Sequence, residues 1–151
     1  MRGSLSMNLK KRMVKTLVWS VALYGAETWT MKKKYIERLE AFEMWVWRRM
    51  MRIDWMEHIT NREVLGMIGE ERSLVDTIQK RQRNWIGHIL RGNSLLKVII
   101  EGRMMGRKIQ GRPRMKLLDW MMNGEKGKTY DTLKREAQER QQWRHHQRTC
   151  P

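Results

Sequence analysis

Apolar side chains near the start of the chain recur with the period of an α-helix. They stand three or four residues apart, at Leu5, Leu9, Met13, Leu17, Val21 and Tyr24. This spacing puts them on one face of an amphipathic helix, and Gly25 follows as a stop signal. The pattern therefore predicts a helix over about residues 5–24.

A second apolar stripe predicts a helix over about residues 34–52. Its members share helical spacing: Ile36, Leu39, Phe42, Val46, Met50 and Ile53. Glutamates early in this segment and arginines late in it suit the helix dipole. Trp45 and Trp47 widen the apolar face, and we interpret Trp45 and Trp85 as core side chains, because large aromatics on apolar stripes are mostly buried.

Helix-end signals mark two further helices. Thr60 and Glu63 have the spacing of a capping box, and Gly69 closes the short helix that the box begins. The apolar period then runs from Leu74 to Arg91. A helix is therefore predicted over those residues, with Gly92 as its stop.

The sequence changes character after residue 92. Residues 95–100 form a short, partly β-branched run before a glycine-rich turn, which predicts a small β-hairpin or a basic arm near residues 95–112. Two shorter helices are predicted beyond it, at about 114–123 and 129–144. The expected fold is mainly α, a bundle of about five to six helices. We divide it into a helical region, 1–92, and a basic hairpin or arm with C-terminal helices, 93–151, with one continuous domain as the alternative.

Composition is that of a folded intracellular protein. The chain has 151 residues, of which 40% are hydrophobic, with eight Trp and 14 Met to fill a core. Its one cysteine, Cys150, excludes an intrachain disulfide and so a secreted, disulfide-stapled scaffold. No apolar run has the length that a membrane-spanning helix needs, so no membrane partner is expected.

Charge points to a polyanionic partner. The chain has 32 Lys and Arg against 16 Asp and Glu, a formal net charge of +16. Residues 1–75 have a net charge of +5 and residues 76–151 a net charge of +11. Such an excess favours contacts with the backbone of RNA or DNA, mainly in the second half of the chain.

The densest basic segment is 102–116, in which Gly-Arg occurs three times and no acidic residue is present. Its basic residues are Arg103, Arg107, Lys108, Arg112, Arg114 and Lys116. Glycines let a backbone approach phosphates closely, and arginine forks match phosphate oxygens. Gly111-Arg112-Pro113 also resembles the core of an AT-hook, which binds the A·T minor groove. We favour a nucleic-acid contact over the alternative, a solvated turn leading into the next helix.

A second candidate contact lies on the helix predicted over 74–91. Lys80, Arg81 and Arg83, together with Arg91, could form a basic helix face that follows a nucleic-acid backbone. An ordinary solvated helix surface is an equally good interpretation.

The residues that catalysis would need are missing from the sequence pattern. The four aspartates, Asp54, Asp76, Asp119 and Asp131, are scattered, whereas two-metal phosphoryl transfer uses clustered carboxylates. The histidines and Cys150 lack the paired spacing of a zinc site, and no P-loop or nucleophile elbow is present. The sequence therefore predicts no enzyme activity, no metal and no cofactor.

Several blocks together resemble one family, the endonuclease–reverse transcriptases of LINE-type (non-LTR) retrotransposons. In the family's order they are Tyr24-Gly25-Ala26-Glu27-Thr28-Trp29, the run 38–45 with Arg48-Arg49-Met50, 60–65, 85–91, 111–114 and Gln142-Trp143-Arg144. Ala26 stands where many relatives have Cys, and Leu117 lies in a region where they often have Trp. The blocks cover about residues 8–144 and are specific as a set.

The resemblance implies a position within the parent protein, whose activity is that of an RNA-directed DNA polymerase. The chain is similar to the thumb and post-thumb C-terminal region, so the polymerase palm and the endonuclease would lie upstream of it. It would contact an RNA/DNA template–primer or target DNA without catalysis, in a nuclear or cytoplasmic ribonucleoprotein. The alternatives are a helical protein-interaction module, which docks on the missing palm or self-associates through exposed helices, and a transposon relic with no function.

Overall fold

The computed structural model describes residues 5–102, 116–123, 129–141 and 143. Within these ranges the chain is mainly helical and has no strand, which confirms the predicted fold class. The α-helices are α1 (Met7–Met13), α2 (Trp19–Ala22), α3 (Lys33–Met51), α4 (Asn61–Ile68), α5 (Leu74–Arg91), α6 (Leu95–Glu101), α7 (Asp119–Asn123) and α8 (Tyr130–Gln138). None of the helices in the described ranges combines the length and apolarity that crossing a bilayer requires.

α1 and α2 are joined by a π-helical turn, Val14–Val18, and the chain stays helical from Met7 to Ala22. The Ser6 hydroxyl caps its start by accepting a hydrogen bond from the Leu9 amide, 3.4 Å. The apolar stripe that predicts this helix lies on its exposed side, where Val21 is 79% and Tyr24 87% exposed.

The buried side of the same helix follows a different spacing. Val14 and Trp19 are buried and stand five residues apart, across the π turn, and Leu23 and Ala26 are buried just after the helix ends. A π turn closes its hydrogen bond over five residues instead of four. The π turn accounts for this five-residue step. The stripe itself lies on the exposed face along the whole helix, because Leu9 and Met13 are exposed before the turn, as Leu17 and Val21 are from the turn onward.

α3 has the predicted length, but one of its tryptophans is not in the core. Met44, Val46 and Trp47 are buried, and the Trp47 ring meets Trp19 edge-on with centroids 5.6 Å apart. Trp45 is 61% exposed, so its interpretation as a core residue is wrong. Adjacent helical residues project about 100° apart, which turns Trp45 away from the face that Met44 and Trp47 share.

The predicted capping box at the start of α4 is present. The Thr60 hydroxyl accepts from the Glu63 amide, 3.3 Å, and the Glu63 carboxylate accepts from the Thr60 amide, 2.6 Å. The Thr60 hydroxyl also donates to the Glu63 carboxylate, 2.7 Å, and this bond, followed by the one from the Thr60 amide, holds the pKa of the Glu63 carboxyl below its ordinary value. Gly69, with φ +65°, ends the helix as predicted.

α5 begins on a carboxylate supplied by α3. Glu43 is completely buried and accepts hydrogen bonds from the Ser73 amide, 3.0 Å, and the Leu74 amide, 3.3 Å. Amides in the first turn of a helix have no partner within it, so this carboxylate takes the place of an N-cap side chain.

Residues 95–101 are helical, so the extended run expected over 95–100 is wrong. The run does not alternate strictly, and Ser94 precedes it in the extended backbone conformation of an N-cap residue. The end of α6 is attached to α8, because Glu101 accepts from the Tyr130 hydroxyl, 3.0 Å, and pairs with Lys134 Nζ, 2.7 Å. The rest of the expected hairpin or arm, 103–112, lies outside the described residues.

The described residues fall into two compact units. The first comprises the residues up to Ala26 together with Lys32–Gln79, and the second comprises Glu27–Met31 and the residues from Lys80 onward. The division lies within α5, whereas the sequence places the change after residue 92. The second unit has a core that contains Ile86, Leu90, Met121, Leu133, Ala137 and Trp143.

Candidate nucleic-acid interface

Lys80 and Arg81 are exposed on α5, at the start of the second unit. Both are candidate contacts from the sequence, and both side chains have access to solvent. They are therefore placed where a phosphate could reach them.

Arg83 does not lie on this exposed surface. It is 9% exposed, and its guanidinium lies over the Trp143 ring, 4.4 Å from the centroid. Its Nη2 lies 3.8 Å from Glu136 Oε2, and its backbone carbonyl accepts from Trp143 Nε1, 3.1 Å. Arg83 therefore packs inside the second unit against Trp143, which lies 60 positions later in the sequence.

Arg91 is also occupied within the second unit. Its Nη1 donates to the Ala137 carbonyl, 2.8 Å, at the end of α8. Gln138 Nε2 returns a hydrogen bond to the Leu90 carbonyl, 3.3 Å. Of the four basic residues that the sequence suggests for a face on α5, Lys80 and Arg81 are the two that the structure classes as exposed.

The Gly-Arg segment is described only at its two ends, Gly102 and Lys116. Lys116 is exposed, and its amide donates to Asp119 Oδ2, 2.5 Å, at the start of α7. The other basic residues of the segment lie outside the described residues, so their contacts with nucleic acid stay a prediction: Arg103, Arg107, Lys108, Arg112 and Arg114.

Some cations of the first unit are already neutralised. Lys15 Nζ lies 2.8 Å and Lys11 Nζ 3.4 Å from the Glu70 carboxylate, and Lys11 also donates to the Ile68 carbonyl. The hydrogen bond from Lys15 holds the pKa of Glu70 below its ordinary value. These lysines connect the first helix to the end of α4, which leaves less of their charge for an external anion.

A cleft at the C-terminal end of α3 is the feature that our sequence reasoning missed. It has a volume of about 650 Å³ and lies in the first unit, lined by Trp45, Arg48, Arg49, Arg52, Ile53 and Asp54. In the sequence the tryptophan and the arginines stand at i, i+3, i+4 and i+7, the spacing of one helical face, although α3 ends at Met51 and Arg52 is its left-handed C-cap residue. That spacing was visible in the sequence, but the arginines were assigned to the helix dipole and the tryptophan to the core.

The three arginines of this cleft have different surroundings. Arg48 is anchored, since its guanidinium donates to the Ile59 carbonyl, 2.5 Å, and to Asn61 Oδ1, 3.0 Å. The side chains of Arg49 and Arg52 are exposed, and no described carboxylate pairs with either guanidinium. The Asp54 carboxylate accepts from the Met56 amide in its own turn, 3.5 Å. The cleft therefore has a surplus of positive charge.

Two segments that are far apart in the sequence, 85–91 and 142–144, meet in the second unit at Gly87 and Trp143. Gly87, from the block 85–91, lies under the indole of Trp143, from the block 142–144. A Cβ at position 87 would overlap the indole nitrogen and its neighbouring ring carbons. Glycine at this position therefore makes room for the tryptophan that binds Arg83.

Comparison of the chain with protein-family models, with curated proteins and with solved structures finds no match in any of the three. A functional assignment thus depends on the charge, the exposure and the geometry of the chain's own residues.

Proposed function

We propose that the chain binds nucleic acid through its phosphate backbone, without catalysing a reaction on it, as the C-terminal part of a LINE-type reverse transcriptase would. The observation that supports this most directly is the net charge of +16. Exposed cations occur in both units, at Arg49 and Arg52 in the first and at Lys80, Arg81 and Lys116 in the second. The partner would be an RNA/DNA template–primer or target DNA.

Binding of this kind is driven by counterion release. Each phosphate that a lysine or arginine neutralises frees condensed counterions, so affinity falls steeply as salt rises. On duplex DNA the slope of log K against log salt concentration is about −0.9 for each phosphate contacted. Backbone contacts carry little sequence information, so we expect weak preference among duplexes of different sequence.

The test is a fluorescence-anisotropy titration of labelled duplex DNA, RNA–DNA hybrid and single-stranded DNA at several NaCl concentrations. We expect binding at low salt with a steep negative salt slope. Lys80→Glu with Arg81→Glu should weaken binding more than the control Lys33→Glu with Lys34→Glu, which changes the net charge equally at the exposed start of α3. Absence of binding to every probe at low salt would refute the proposal.

The Gly-Arg segment is tested separately. Neutralising Arg107, Lys108, Arg112 and Arg114 together should reduce affinity for nucleic acid sharply if the segment contacts phosphates. An unchanged salt slope in this variant would exclude the segment from the interface.

One observation favours the second candidate function, a helical protein-interaction module. The first helix exposes a continuous apolar stripe, in which Leu17 is 60%, Val21 79% and Tyr24 87% exposed. Contiguous apolar surface on a soluble protein marks interaction sites or a tendency to aggregate. Light scattering after size exclusion should show association that Leu17→Glu with Val21→Glu abolishes. If the protein is a monomer at all concentrations tested and binds no partner such as a palm region, the protein-interaction function is excluded.

A further inference from the structure

We propose that the cleft at the end of α3 binds one unpaired nucleotide of a single-stranded nucleic acid. The base stacks on Trp45, and Arg49 and Arg52 hold the adjacent phosphate. The inference rests on the proposed nucleic-acid binding and adds to it a specific subsite and a class of substrate. Its support is the geometry of the first unit.

The Trp45 side chain is 61% exposed and is supported by other aromatic rings. It stacks on Phe42, with centroids 6.2 Å apart and planes 21° apart. Phe42 in turn packs on Trp19 at 6.1 Å, and Trp19 packs edge-on against the fully buried Trp47. The exposed ring is thus the outer end of a series of aromatic contacts that begins in the core. A ring held in this way loses little conformational entropy when a base stacks on it.

The cations lie beside this ring at the C-terminal end of α3. Arg49 follows Trp45 by one helical turn, Arg52 is the left-handed C-cap residue that ends the helix, and both residues line the cleft that Trp45 lines. The Arg48 side chain is held in place, because its guanidinium donates to the Ile59 carbonyl and to Asn61 Oδ1. Arginine forks match phosphate oxygens in pairs, and the one carboxylate in the lining, Asp54, is held by its own turn.

The size of the cleft and the need for a free base face favour an unpaired nucleotide over a duplex. Its volume of about 650 Å³ is in the usual range for a small-molecule site, which is enough for one nucleotide. In a duplex the faces of the bases are covered by their neighbours, so only an unpaired base can offer a face to the indole. Stacking is tolerant of base identity, because every base has a π-face, so little sequence preference is expected.

The experiment compares a short fluorescein-labelled oligothymidylate with a duplex of the same length. Trp45→Ala should weaken binding of the single strand by about 5- to 150-fold, the range found when a stacking aromatic is removed. Duplex affinity should change by less than about twofold, because phosphate contacts alone serve the duplex. Trp45→Phe should keep most of the affinity, and Tyr35→Ala, which removes an exposed ring elsewhere on α3, should keep all of it.

The arginines give a second test that leaves the ring in place. Arg49→Gln with Arg52→Gln should weaken binding of the oligothymidylate more than the matched pair Lys33→Gln with Arg38→Gln, two exposed cations near the start of the same helix. Circular dichroism spectra that match the wild type show that each variant is folded, as expected for side chains with this exposure.

Each remaining outcome overturns a different statement. If the wild type binds both probes and Trp45→Ala binds as tightly as Tyr35→Ala does, the subsite is wrong and the proposed function stands. Equal losses on the single strand and the duplex would refute selection of an unpaired base. Displacement of the oligothymidylate from the cleft by an acidic peptide at equal charge concentration would assign the cleft to acidic proteins. If the wild type binds no probe, the proposed function fails first.

Discussion

A single methyl group added at Gly87 tests how the second unit is packed. The added Cβ would overlap three atoms of the Trp143 indole, which is 2% exposed and hydrogen-bonded to the Arg83 carbonyl. The indole cannot move away without losing that bond and its contact with the Arg83 guanidinium. Gly87→Ala should therefore destabilise the wild type, although alanine is the better helix former.

The magnitude follows from two opposing effects. Forcing an extra carbon into a packed interior costs about 1–3 kcal/mol. Replacing glycine by alanine inside a helix gains about 1 kcal/mol. Because the indole is held on two sides, we expect the upper part of the first range and a net loss of about 2 kcal/mol. Trp143→Ala alone should cost about 3–5 kcal/mol, as for other buried tryptophans.

The sign of the effect should reverse once the indole is gone. In the Trp143→Ala background the overlap disappears, and Gly87→Ala should stabilise the protein by about 0.5–1 kcal/mol. The control is Gly66→Ala in α4, where no atom lies within 4 Å of the added Cβ, and it should stabilise both backgrounds by a similar amount. Urea denaturation followed by circular dichroism measures all the variants. If Gly87→Ala stabilises the wild type as Gly66→Ala does, the described packing of Trp143 on α5 is wrong.

Three further predictions concern hydrogen-bonded side chains. Glu43→Ala removes the acceptor of two backbone amides at the start of α5. It should lower the free energy of unfolding, measured by urea denaturation, by about 1–3 kcal/mol. A loss under about 0.5 kcal/mol, half the net value of one ordinary hydrogen bond, would contradict the role of Glu43 as a cap. The hydrogen bonds from Thr60 lower the pKa of Glu63, so the stability that they contribute is present above the ordinary glutamate range and is lost as pH falls through the folded-state pKa. Between about pH 5 and pH 3 the Tm of the wild type should therefore fall more steeply than that of Thr60→Ala. Parallel curves of Tm against pH would refute the coupling. Burial and the hydrogen bond to Glu101 raise the pKa of Tyr130 to about 12. The stability that this hydrogen bond contributes is therefore fully present below about pH 10 and is lost as pH rises from 10 towards 12. An alkaline absorbance titration should show a phenolate that forms near pH 12 in the wild type and is missing in Tyr130→Phe.

Features that depend on neighbours in sequence could be predicted. The capping box at Thr60 and Glu63 and the stop at Gly69 depend on residues within three or four positions of the backbone groups involved, and the end of α5 is marked locally by Gly92. The start of α5 is different. Its amides are bound by Glu43, 30 positions earlier, and no local pattern shows such a partner.

Features that depend on which face is covered could not be predicted. Periodicity shows that the first helix has an apolar face, but it does not show which face the rest of the protein covers. Leu9 and Met13 are exposed before the π turn at Val14–Val18, as Val21 is after it. The exposure of Trp45 has a similar cause, since the sequence gives its spacing but not the packing of the first unit.

The candidate site was predicted in part. The net charge and the exposed pair Lys80 and Arg81 could be read from the sequence, whereas the burial of Arg83 depends on Trp143 and Glu136, more than 50 positions away. The arginine cleft was missed for a different reason. Its spacing was present, but three arginines at the end of a helix have an adequate explanation in the helix dipole alone.

The π turn at Val14–Val18 makes the first helix sensitive to a change in its length. Deleting one residue there would restore a regular α-helix and turn α1 by about 100° relative to α2. Lys11 would then point away from the Ile68 carbonyl and from Glu70, which it reaches in the folded chain. The number of residues in this segment is thus more constrained than their identity. In related chains we expect substitutions in the turn to be common and insertions or deletions there to be rare.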